Sequence, residues 1–79
     1  MKNFGKISKA WLAELGIYTS EHLKQYGSVH IYRLVRARHP KKASLNLLWA
    51  LEGAIQGIDW RDLTEQRKIE LKAEVLDLQ

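Results

Sequence analysis

Apolar residues recur at helical spacing along the chain, and their longest run is Ser44 to Leu63, SLNLLWALEGAIQGIDWRDL. At about 100° per residue, Leu47, Leu48, Leu51, Ala54, Ile55 and Ile58 share one arc of roughly 120°. Almost opposite stand Asn46, Ala50, Gly53 and Gly57. Glycine inside a helix costs about 1 kcal/mol relative to alanine, so a face with two glycines is expected to receive another backbone at close range. The run therefore predicts a central helix covered on two sides. Ser44 is its expected N-cap, and Gly57 its left-handed C-terminal stop. Trp49 lies between the two faces and is expected to be largely buried, with Leu48, Leu51 and Ile55 fully so.

The flanking pattern predicts four further helices. Trp11, Leu12 and Leu15 stripe a helix from about Ser8 to Leu15, stopped at Gly16. Ile17 then enters the core, and Thr19 or Ser20 caps a second helix that ends at Gly27 and buries Leu23 and Tyr26. Ser28 is expected to cap a third helix to about Arg38, with Ile31, Tyr32, Leu34 and Val35 on its inner side. Pro40 then disfavours helix at His39 and fixes the break. Trp60 and Leu63 are expected to anchor the connection after the central helix, with Arg61 tying the turn to its neighbouring aspartates. The last helix spans about Thr64 to Leu78 and carries two apolar stripes. One is Ile69, Ala73 and Leu76; the other is Leu71, Val75 and Leu78. A helix at the edge of a small domain normally buries a single stripe. The second stripe must find either a groove in the same chain or a partner, and Leu71, Val75 and Leu78 are the candidate dimerisation surface.

SLNLLWALEGA followed by WRDL resembles the C-terminal domain of the TfoX/Sxy family, bacterial regulators of DNA-uptake competence. The resemblance covers nearly the whole chain and is most specific in its second half. It implies an all-α domain of five short helices, in which a helix-hairpin-helix-like first half packs on a central hydrophobic helix. Residues 1–79 then form a single domain. The full-length regulators carry a further domain in front of this one, so a separate protein resembling it is one implied partner. In DNA-binding helix-hairpin-helix proteins a glycine turn approaches a phosphate, and backbone N–H groups at a helix N-terminus bind the anion. The matching turn is Asn3 to Ser8, with Gly5 in place and Asn3 where a second glycine is usual. Lys6 and Lys9 flank it. The turn serves either phosphate binding or packing.

Charge sharpens that choice. Residues 1–43 hold nine Lys/Arg and two acids, a net of +7, whereas residues 44–79 hold four Lys/Arg and seven acids, a net of −3. Either the first half meets an anionic partner or the two halves attract each other. The densest basic stretch is VRARHPKK, where Arg38, Lys41 and Lys42 extend a face begun by Arg33 and Arg36. Together with Lys6 and Lys9 these are the candidate contacts to double-stranded DNA. They would be made to phosphates, because no aromatic side chain interleaves for base stacking.

The remaining chemistry is sparse. There is no cysteine, so disulfides and thiolate sites are excluded. His22, His30 and His39 lack the neighbours of a metal ligand set, and neither metal nor other cofactor is expected. Asp59 and Asp62 read as turn and helix-start residues rather than as a catalytic pair, so no enzyme activity is expected. Residues 1–20 lack a signal-peptide core. No segment reaches the ~20 apolar residues of a membrane span, and a cytoplasmic, membrane-free location follows as the expectation. Two functions remain: a regulatory domain with weak duplex binding through its basic half, or an interaction module that pairs with itself or another protein.

Overall fold

The computed structural model describes residues 4–77, the side chain of Asp77 excepted. Asn3 and Leu78, both named above, lie outside the described residues. The chain forms α1 (Lys6–Glu14), α2 (Ser20–Tyr26), α3 (Ser28–Arg38), α4 (Leu45–Gln56), a 3-10 turn (Trp60–Asp62) and α5 (Glu65–Asp77). No strand occurs among the described residues.

The predicted central helix is α4, which touches α2, α3, α5 and the 3-10 turn. Leu47, Leu48 and Leu51 are buried from one side, and Ala50, Gly53 and Ala54 are buried as well. Ser44 stands at the N-cap position, but its side chain makes no capping hydrogen bond. At the other end Gly57 is left-handed (φ 74°, ψ 27°). Its N–H donates to Ala54 O and the Ile58 N–H to Gly53 O, at 3.3 and 2.9 Å, the paired bonds of a Schellman motif. The end of α1 repeats this: Gly16 N–H to Ala13 O and Ile17 N–H to Leu12 O, at 3.0 and 2.9 Å. Ile17, the residue after the stop, is buried against the core as predicted.

Leu12, Leu23, Ile31, Val35, Leu48, Leu51 and Leu71 are the fully buried large side chains. Several sequence expectations change. Tyr26, the last residue of α2, is 52% exposed, its ring stacked beside that of His30. Leu34 is on the rim of α3 rather than its inner side, and Ile55 and Trp49 are only partly buried. Thr19 caps α2, accepting from the His22 N–H, and Thr64 accepts from the Arg67 N–H to cap α5. Ser28 does not cap α3. Gly27 holds that position, and the Ser28 hydroxyl is used elsewhere.

The largest correction concerns α5. Leu71 and Val75 are buried in the chain's own core, at 0% and 3% exposure, whereas Ile69 and Leu76 are 61% and 59% exposed. Of the two alternatives for the candidate dimerisation stripe, a partner or a groove in the same chain, Leu71 and Val75 take the second, covered by α3 and α4. Both stripes are aliphatic, and α5 presents to α3 the side that carries Val75.

Candidate functional site

The basic residues named from the sequence divide into three settings. Lys6 and Lys9 lie exposed on α1, and Lys41 and Lys42 lie exposed in the turn between α3 and α4. Ser8, Trp11, Lys42, Ser44, Asn46 and Trp60 border one cavity of about 260 Å³. The first turn of α1 therefore sits beside the turn that carries Lys42. That approach is held by a small cluster: Trp11 stacks on the His39 ring at 4.8 Å, and Glu14 Oε1 accepts from Arg38 Nε at 3.1 Å and faces His39 Nε2 at 3.3 Å. His39 thus has a carboxylate neighbour that sequence spacing did not reveal. Hydrogen bonding to His39 is the main influence that holds the Glu14 carboxyl below its usual range; burial opposes it, and Arg38 adds to it.

Arg38 is accordingly engaged with Glu14, and Arg33 has an interaction of its own. Arg36 borders the space between α3 and α5, as Lys72 does. Lys6, Lys9, Arg36, Lys41 and Lys42 have no ion-pair partner among the described residues. The pairs Lys24–Glu21 and Arg38–Glu14 lie within the basic half, and Arg61–Asp59, Arg67–Glu52, Arg67–Glu70 and Lys68–Glu65 within the acidic half.

Gly5 is extended (φ −81°, ψ −179°) at the N-cap of α1, a conformation open to any residue, so nothing at this position depends on glycine. At the next turn the backbone is already satisfied locally, since the Tyr18 N–H donates to His22 Nδ1 and the His22 N–H to Thr19 Oγ1, at 3.1 and 3.2 Å.

One group went unnoticed in the sequence. Glu52, on α4, is buried (6% exposed). Its Oε1 accepts from Ser28 Oγ at 2.7 Å, and its Oε2 from Gln56 Nε2 at 2.6 Å and Arg67 Nε at 3.0 Å. Burial pushes this carboxyl upward, but the bonds from Arg67, Gln56 and Ser28 together outweigh it and hold the group below its usual range. Arg67 also reaches Glu70 at 3.1 Å. The network joins the starts of α3 and α5 to the middle of α4, beneath an open groove of about 670 Å³ bordered by Tyr26, His30, Ile55 and Glu74. Every buried side-chain nitrogen or oxygen among the described residues has a partner, which makes this a satisfied structural network. No three His, Asp or Glu among the described residues converge as metal ligands. No described helix is long and apolar enough to cross a membrane.

The sequence model of the TfoX C-terminal domain matches residues 1–75. No curated protein matches the chain. Among solved structures, the tetragonal crystal form of a protein of unknown function from Listeria monocytogenes is similar. It is 37% identical with a TM-score of 0.86, and the match covers 99% of this chain and 94% of that one. The triclinic form of an uncharacterized protein from the same organism is 38% identical with a TM-score of 0.85, over 96% and 85% of the two chains.

Proposed function

The chain belongs to the TfoX C-terminal domain family, and we propose that it is a non-catalytic, cytoplasmic regulatory domain that associates weakly with double-stranded DNA. The observation that carries this reading is the set of exposed, unpaired lysines on α1 and the α3–α4 turn: Lys6, Lys9, Lys41 and Lys42. Contact is to phosphates and carries little sequence preference. The Cα trace spans only 29 × 27 × 21 Å, comparable with one turn of B-DNA at about 34 Å, so few phosphates are reached. Affinity in the range of non-specific binding follows, with Kd of about 10⁻⁴–10⁻⁶ M at physiological salt.

The test is fluorescence anisotropy with a labelled 20-base-pair duplex across a salt series. Each lost phosphate contact lowers the log–log salt slope by about 0.9. The Lys41→Ala, Lys42→Ala variant is expected to bind less tightly, with a slope shallower by about 1.8. Wild-type protein that shows no duplex binding at low salt rejects the reading. The second reading, a protein-interaction module, is favoured by a different observation, the exposure of Ile69 and Leu76 on α5.

A further inference from the structure

The space between α3 and α5 differs in chemistry from the lysine surface. Two adjoining cavities, of about 340 and 330 Å³, share Arg36, Pro40 and Val75 as lining residues. Together they make a groove along the C-terminal halves of both helices. Its lining is mixed: Pro40, Ala43, Leu45 and Leu76 supply apolar area beside the polar groups of Arg33, Arg36, Ser44 and Lys72. Leu76 keeps 59% of its surface in solvent at the groove edge, area that an occupant would cover. Arg36 and Lys72 border the groove, and both are exposed without an ion-pair partner among the described residues. No carboxylate occurs among the described residues that line either cavity.

We propose that this groove docks an acidic peptide segment of a partner protein, which places an aliphatic or aromatic side chain over Pro40, Leu45 and Leu76 and its carboxylates against Arg36 and Lys72. The combination selects the occupant. Cations on the rim favour an anionic partner and speed its approach. The apolar part of the lining, Pro40, Leu45 and Leu76, rewards a side chain that can be removed from water, and duplex phosphate offers none. The volume suits one or two side chains rather than a whole folded surface, being at the low end of ligand pockets of about 300–1,000 Å³. Peptides that lay such anchors into a groove bind through a few spaced side chains.

Selection of random 12-residue peptides displayed on phage, on the immobilised domain, tests the proposal. The Arg36→Glu, Lys72→Glu variant serves as the comparison; both side chains are exposed, and a thermal melt confirms that it folds. The expected result is enrichment of sequences with Asp or Glu flanking an aliphatic or aromatic residue. A synthetic peptide of the enriched sequence is expected to bind the variant about tenfold more weakly. It is also expected to shift the amide NMR signals of Ala37, Ala43, Leu45 and Leu76. Leu76→Ser is expected to weaken binding without lowering the melting temperature. Four outcomes overturn the proposal: no enrichment, enriched peptides without acidic residues, equal binding by the variant, or shifts confined to another face. It is likewise overturned if those signals move with protein concentration in the absence of peptide, which assigns the groove to a second copy, or if a DNA duplex displaces the peptide from them.

Discussion

Gly27 is where two helices meet without a linker. It closes α2 and opens α3 with φ 85° and ψ 153°, a region that residues with a Cβ scarcely enter. A Cβ built on Gly27 meets no atom within 4 Å, so the constraint is the backbone and not the space. Gly27→Ala is expected to cost about 1–3 kcal/mol, seen as a lower urea midpoint with an unchanged m-value. That a turn occurs here was legible, since glycine after an apolar helix end is a standard stop. That Ser28 would be freed from capping was not, because its partner Glu52 is 24 residues away. The same distance hid Glu52 itself, which the sequence shows only as a break in an apolar run. The Glu52 carboxyl is held below its ordinary range, so the native state binds fewer protons than the unfolded chain. Its contribution to stability is complete above the unfolded value, near pH 4.3, and is lost as the pH falls through that value toward the lowered one. Glu52→Gln is expected to flatten the acid limb of the stability curve, measured by urea titration from about pH 6 to 3. A residual slope remains because the exposed Glu14 carboxyl also titrates low.

Periodicity located every element; the predicted α1 starts two residues late because Gly5, not a hydroxyl residue, takes the N-cap. For α4 the period also gave the buried face, because its polar positions are few and a wide arc had to be covered. For α5 the period gave two equivalent stripes and no means of choosing, since the choice depends on which side α3 and α4 occupy. The consequence is testable at Val75, which is 3% exposed. Val75→Lys places an unpaired charge in the core, and a loss of about 3–5 kcal/mol is expected, enough to unfold a domain of marginal stability. The cooperative melt of this variant is expected to be lost, because the side chain is buried in the chain's own core. A cooperative Val75→Lys melt near the wild-type temperature would show that Val75 is not in the core. Trp49 is covered less than the helical wheel implied; it packs partly in the core and partly under Lys68, whose Nζ lies 5.9 Å from the ring.

For the whole molecule, the charge split was readable from the sequence, but its use was not. A net of +7 against −3 in the two halves fits internal attraction as well as an external partner. Lys6, Lys9, Lys41 and Lys42 are exposed and without ion-pair partners among the described residues, which supports the proposed anionic partner. The division of the basic set was likewise hidden. Arg33, Arg36 and Arg38 are close in sequence, yet helical rotation sends Arg36 toward α5 and Arg38 toward Glu14. A linear cluster of arginines on a helix is therefore a poor guide to a surface patch unless the neighbours on each side are known.

The attachment of α1 carries a further consequence. Leu12 is its one fully buried side chain, and beyond Leu12 it is held by the partly buried Trp11 against His39 and by the exposed Glu14 pairs. Helices so attached detach at a free energy well below that of global unfolding. The amide protons of α1 are therefore expected to exchange with solvent deuterium ahead of those of α4. The element that carries Lys6 and Lys9 is then the one whose exchange a bound polyanion would slow most.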